Sequence, residues 1–201
     1  MTRHPRHLLL SLLSFVTTCV VGPACGFDAV QTFAPGTFVL SLESGGGSQS
    51  NLEGNGETGL EFWNAGVRFG LLPWGVVGSG IFRGALEVGL EPFYQRYTDP
   101  VRAYFAGLAA VGRYHFLSLG RVVPYAELFG AAGGTNLRVP EIDSDFTFLL
   151  QGGVGLSVFV TDRLAIYGGY RFQHVSNGNT DDPNRGFESH TGVAGVSYYF
   201  K

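Results

Sequence analysis

Eight stretches of this 201-residue chain alternate apolar and less apolar residues with a period of two. They lie near residues 37–46, 59–71, 81–95, 102–116, 122–133, 146–160, 163–176 and 188–200, and turn-rich segments separate them. Strict alternation puts successive side chains on opposite faces of a β-strand. In the sixth stretch Phe146, Phe148, Leu150, Gly152, Val154, Leu156, Val158 and Val160 share one face, and Thr147, Gln151, Gly153, Gly155 and Ser157 share the other. The charges obey the same division. Glu43, Arg68, Arg83, Glu87, Arg113, Glu127 and Arg171 all fall on the less apolar faces. Two architectures give this pattern. In a soluble β-sandwich the charged face meets water. In an eight-stranded barrel it lines a narrow lumen filled by side chains, where opposite signs pair, and the long uncharged face meets lipid.

Composition and the leader favour the barrel. Charged residues make up 14% of the chain, against about 25% in soluble domains. Glycine is abundant, with 31 residues, and aromatics reach 14%. The net charge of −3 gives no case for a nucleic-acid partner. Residues 2–7 are polar and basic, 8–21 are apolar and uncharged, and small residues follow up to Gly26. This is the layout of a secretory signal peptide, whose apolar run of about 14 residues is short of the roughly 20 that a spanning helix needs. Both cysteines, Cys19 and Cys25, fall in it, so the mature chain has no disulfide framework and no thiol nucleophile. Lipid attachment at Cys25 is the alternative use of that segment. The expectation is an all-β protein. Residues 1–26 form a signal peptide, and 27–201 form one domain, an eight-stranded antiparallel transmembrane β-barrel. An even strand number puts both termini on the periplasmic side. The longer connections, near 47–58, 134–145 and 177–187, then lie outside. Trp63, Trp74, Tyr104, Tyr114, Tyr198 and Phe200 are candidates for interfacial girdles.

The end of the seventh stretch departs from this pattern. Ile166, Gly168, Tyr170 and Phe172 lie on its apolar face, and His174 and Ser176 continue that face. Counting back by two from Phe200 in the eighth stretch reaches His190 and Glu188. His174, Ser176 and Glu188 are therefore expected on the outward wall, near the outer rim, on adjacent strands. Polar groups on a lipid-facing stripe are costly unless satisfied or used. Serine is a weak nucleophile until a base takes its proton. His174 can be that base, and Glu188 can hold its other ring nitrogen and stabilise the imidazolium. Asn184 and the backbone N–H groups of Asn177, Gly178 and Asn179 are the nearby candidates for oxyanion donors.

The run His174-Val-Ser176-Asn177-Gly178, followed by Pro183-Asn184-Arg185-Gly186-Phe187-Glu188, resembles the signature of the PagL family of lipid A 3-O-deacylases. That resemblance implies an eight-stranded outer-membrane barrel with a Ser-His-Glu triad on its outward face, carried here by Ser176, His174 and Glu188. It also implies hydrolysis of the ester-linked 3-hydroxyacyl chain at position 3 of lipid A, an oxyanion role for Asn184, and no cofactor or metal in the chemistry. The implied partners are lipopolysaccharide and the lipids of a Gram-negative outer membrane, with the active site facing the outer leaflet. A homodimer is compatible with the sequence and is not readable from it. Where the family often has alanine after Ser-Asn, this chain has Gly178, which leaves a backbone N–H in place.

Other readings stand beside this one. A non-catalytic barrel with a structural or adhesive role would use the same strands, and the same triad would serve a different lipid esterase. Glu188 can instead pair with Arg185. His190 reads as rim packing, and His115 as a satisfied residue of the lumen. Asp181, Asp182 and the stretch Glu141, Asp143 and Asp145 read as solvated acidic loops without calcium-loop spacing.

Overall fold

The computed structural model describes residues 27–52, 58–117 and 119–201. The leader reading, with Cys19 and Cys25, lies outside them. Eight long strands are present: β1 (Thr37–Gln49), β2 (Glu61–Leu72), β3 (Gly84–Asp99), β4 (Ala103–Phe116), β5 (Val122–Thr135), β6 (Phe146–Phe159), β7 (Leu164–Ser176) and β8 (Phe187–Phe200). Each pairs antiparallel with its neighbours in sequence. β1 also pairs with β8, from Phe38 opposite Phe200 to Gln49 opposite Ser189, and this closes the sheet into a barrel. Closure leaves no strand edge unpaired, which a bilayer requires.

The two faces of the barrel decide between the alternatives. Outward residues such as Phe69, Leu90, Leu108, Leu128, Leu150, Val154 and Ile166 are exposed around the wall. Leu128 is 73% exposed, whereas Arg68, Arg113 and Arg171 are fully buried in the lumen. A protein with its apolar residues outside and its charges inside is built for lipid, not water. Aromatic residues flank this band. Trp63, Tyr94 and Tyr104 contact one another towards the loop end, and Phe38, Tyr198 and Phe200 stack towards the termini.

The lumen is filled in three layers. At its centre Arg171 bridges Glu43 at 2.5 Å and Glu127 at 2.7 Å, Arg113 meets Glu127 at 2.8 Å, and Arg68 meets Glu91 at 2.8 Å and Glu43 at 3.2 Å. Arg113 also lies over the rings of Tyr125 and Tyr167. Glycine makes room for these rings: a Cβ on Gly155 or Gly169 would come within 2.4 Å of Tyr125. Towards the termini a short helix, α1 (Ala29–Thr32), delivers Phe33 into the barrel mouth against His115, Phe159 and Tyr199. His115 is half-satisfied there: its Nε2 lies 2.9 Å from Glu87, and its buried Nδ1 has no hydrogen-bond partner among the described residues. Towards the loops, Phe62, Phe93, Phe105, Phe129, Ile142, Leu149 and Phe187 form an apolar cap.

One charge is not where alternation put it. The third strand begins at Gly84 rather than near 81, and Arg83 sits half-exposed beyond the end of a 3-10 turn, Gly80–Phe82. Gly78 and Gly80 adopt positive φ (73° and 59°) and turn the chain before the strand starts. Alternation therefore cannot be extended back through Ile81 and Phe82, which are both exposed.

Candidate active site

The pairing of β7 with β8 places His174 opposite Glu188 and Phe172 opposite His190. All four belong to the outward set, since the residues between them, Val175, Phe187 and Ser189, are buried. The His174 Nδ1 atom lies 2.9 Å from Glu188 Oε1. Their side chains are 39% and 22% exposed, intermediate between the sealed lumen and the open wall. Glu188 does not pair with Arg185. Its second oxygen accepts a longer bond from the Leu52 N–H at 3.4 Å, and its own N–H donates to Asn51 Oδ1 at 3.1 Å. Engaging Nδ1 leaves Nε2 as the ring nitrogen that faces away from the carboxylate. The ring rests over Gly186: a Cβ there would lie 3.1 Å from His174 Cε1 and 3.5 Å from Nε2. Gly186 also has φ +65°, a conformation that side chains resist, so glycine is required twice over.

Ser176 ends β7, two residues beyond His174 on the same face and half-exposed. Among the described residues its hydroxyl makes no hydrogen bond. The structure therefore brings His174 and Glu188 together and leaves Ser176 close in the chain but unbonded to the ring.

The connection after β7 is organised by Asn177, whose side chain is buried. Its amide donates to the Asp181 carbonyl at 2.8 Å, and its Oδ1 accepts the Asn179 N–H at 3.0 Å. The Asn177 N–H donates to Asn184 Oδ1 at 2.9 Å, and Asn184 Nδ2 donates to Asn179 Oδ1 at 2.7 Å. These bonds sort the four candidate oxyanion donors. The N–H groups of Asn177 and Asn179 are spent within the loop. The Gly178 N–H has no partner among the described residues, and Asn184 Nδ2 keeps one hydrogen. Gly178 has φ +67° and lies against the Phe148 ring, so this small residue sets the loop close to the wall.

In the acidic stretch after β5, Asp143 and Asp145 are exposed as expected of a solvated loop, and Glu141 is not. Glu141 is buried, and its carboxylate accepts bonds from the Thr58 N–H, the Thr58 hydroxyl and the Gln49 amide. Burial alone would raise its pKa, but these hydrogen bonds outweigh burial and hold it below the usual carboxylate value. Asp143 and Asp145 pair with Arg138, and Asp181 accepts from Ser144. No set of three metal-ligating side chains occurs among the described residues. Sequence alternation has no means of finding Glu141, because its partners come from another loop and from the end of β1. On the wall below the dyad, Tyr170 Oη and His190 Nδ1 are 2.5 Å apart and Phe172 packs edge-on, so His190 is rim packing with a hydrogen-bond partner.

The sequence profile of the family described as lipid A 3-O-deacylase (PagL) matches residues 47–197, about three quarters of the chain and all of the site just described. The chain belongs to the PagL family. Its fold agrees. A crystal structure of the outer membrane enzyme PagL superposes with a TM-score of 0.62 at 17% identity, covering 77% of this chain and 97% of that one. The barrel of Neisserial surface protein A (NspA) gives 0.57 at 18% identity, covering 82% of this chain and 99% of that one. No curated protein matches the sequence significantly. At these identities the structural likeness speaks for the outer-membrane barrel. A fold that PagL has in common with a surface protein does not by itself choose an activity.

Proposed function

We propose that the chain is a lipid A 3-O-deacylase acting as a serine esterase, with Ser176 as nucleophile, His174 as general base and Glu188 as the residue that orients the base and stabilises its imidazolium. The observation that carries this reading is the hydrogen bond from His174 Nδ1 to Glu188 on the lipid-facing wall. It engages Nδ1 and so leaves Nε2 as the ring nitrogen that can take a serine proton. Membership of the PagL family supplies the substrate class. Only a lipid can reach this wall from within a bilayer.

The steps follow from the atoms. Ser176 turns its hydroxyl towards Nε2 as the ester binds and attacks the acyl carbonyl, and Nε2 takes the proton. The resulting oxyanion accepts from the Gly178 N–H and the remaining hydrogen of Asn184 Nδ2. Collapse breaks the ester C–O bond, and His174 returns the proton to the departing sugar oxygen. Water, activated by the same nitrogen, then releases the fatty acid from Ser176. Glu188 stabilises the imidazolium in both halves. No metal or cofactor enters these steps. All three groups come from one chain, so no homodimer is needed. The site lies at the end of the barrel with the longer connections, which fits the outer leaflet of a Gram-negative outer membrane.

Mass spectrometry of lipid A from cells expressing the wild type or Ser176→Ala tests the proposal. Loss of one 3-hydroxyacyl chain in the wild type alone is the expected result. An unchanged lipid A in both, with folded barrel in the outer membrane, returns the chain to a non-catalytic role or to another lipid ester. Purified protein in detergent on phospholipid esters separates those two.

A further inference from the structure

Glu141 touches no candidate reacting group, yet it holds both segments that bracket the His174–Glu188 pair. On the Glu188 side, its carboxylate accepts the Thr58 N–H at 2.8 Å, the Thr58 hydroxyl at 2.6 Å and the Gln49 amide at 2.9 Å. Gln49 in turn accepts the N–H groups of Gly59 and Leu60 at 3.0 and 3.1 Å. These contacts fix the start and the end of the β1–β2 connection. That connection also presents Ser50 N–H to the Glu188 carbonyl at 2.9 Å, Asn51 Oδ1 to the Glu188 N–H, and Leu52 N–H to Glu188 Oε2. On the His174 side, the Glu141 carbonyl accepts the N–H groups of Arg185 and Gly186 at 3.0 and 3.2 Å. Gly186 is the residue on which the His174 ring rests.

We propose that Glu141 is a positioning residue for hydrolysis: through its carboxylate and its carbonyl it sets the placement of Glu188 and His174 relative to each other. The inference rests on the hydrolase reading. A buried carboxylate is costly to keep, and this one accepts from three donors, two on Thr58 of the neighbouring connection and one on Gln49 at the end of β1. Misplacement of a catalytic group by about 1 Å can cost on the order of 100-fold in rate. Loosening either bracket therefore acts on turnover and leaves lipid binding largely alone.

The test uses full-length barrel in detergent, with Glu141→Ala, Glu141→Gln and Glu188→Gln, and the double variant Glu141→Ala/Glu188→Gln. Glu141→Ala is expected to lower kcat about 10- to 100-fold with KM within about twofold. Glu141→Gln, which keeps an oxygen for the Thr58 N–H, recovers most of that loss. In the Glu188→Gln background the Glu141→Ala effect shrinks to about twofold, because the two act through the same pair. Losses that multiply in full, or a change confined to KM, overturn the proposal. Amide hydrogen exchange supplies a readout that does not depend on activity. Leu52 and Gly186 are expected to exchange faster in Glu141→Ala, and lumen-lining Phe129 is not. If the wild type hydrolyses no lipid ester, the functional reading fails, and unchanged exchange at Leu52 and Gly186 would separately sink the positioning role. Where Glu141→Ala does not assemble, Thr58→Val, which removes only the hydroxyl bond, takes its place with the same expectations at smaller size.

Discussion

The centre of the lumen and the rim of β7 and β8 both carry charged and polar side chains, and they treat them oppositely. In the lumen Glu43 and Glu127 each meet more than one arginine, and these side chains are almost wholly shut from solvent. At the rim a single bond joins His174 to Glu188, both are partly exposed, and the Ser176 hydroxyl has no protein partner among the described residues. Removing lone charges from water demands dense pairing, so the lumen network reads as structure. Polar groups left half-paired on a lipid-facing wall have spare hydrogen-bonding capacity, and that capacity is what a reaction uses. The multiplicity of ion pairs, rather than polarity, separates the two regions: uncharged lumen groups such as the Asn64 and Gln95 amides also lack partners among the described residues.

The contrast can be broken most sharply at the rim. Ser176→Ala and His174→Ala are each expected to lower ester hydrolysis by on the order of 10⁴-fold or more, while the barrel assembles and melts as the wild type does. Lipid A mass spectra and heat-dependent gel mobility check the two halves of that statement. Loss of assembly would mean that the rim is structural after all. The opposite behaviour is expected in the lumen. Glu127→Leu strands Arg113 and Arg171 and should cost about 3–5 kcal/mol of barrel stability, as happens when one partner of a buried pair is removed. Hydrolysis per folded molecule should stay near wild type. Denaturant titration by tryptophan fluorescence measures the first effect, and activity scaled to the folded fraction measures the second.

Finer changes sharpen the comparison. Gly186→Ala adds a Cβ at 3.1 Å from His174 Cε1 and forces a side chain into positive φ, at about 1–2 kcal/mol. Turnover should fall about tenfold without loss of the barrel, as read from kcat against gel mobility. The smallest effect is one of acidity. Glu141 lies outside the spanning strands and titrates below the usual carboxylate value in the folded protein. Its contribution is therefore complete above the ordinary carboxylate pKa of about 4.3 and is lost as pH falls through the lower, folded value. Proteolysis of the loops should be slow at neutral pH and quicken only in strong acid, and Glu141→Gln should remove that pH dependence. Loops that open already at pH 6 would show that another group controls them.

Most of the barrel was legible because a strand with one lipid face and one lumen face must alternate, and the charges mark which face is which. The eight expected segments correspond to β1–β8, and His174, Glu188 and Ser176 fall on the outward face as counting by two requires. The count failed at Arg83, where Gly78 and Gly80 reverse the chain and alternation has no meaning. The sequence reading of Glu141 as a solvated loop residue also failed, because its burial depends on Thr58 of another loop and Gln49 at the end of β1. Nor could it distinguish the spent N–H groups of Asn177 and Asn179 from that of Gly178, since the same residue types supply both. Long-range loop contacts are set by tertiary placement, and period-two patterns do not encode them.

The Phe33 plug has a consequence for traffic. With aromatic rings stopping one mouth, ion pairs across the middle and an apolar cap at the other end, the lumen offers no passage for solutes. A lipid that meets His174 and Ser176 must arrive along the outer surface of the wall. On the proposed hydrolase reading, supply of the lipid is then two-dimensional, set by lateral diffusion in the membrane rather than by concentration in the surrounding water.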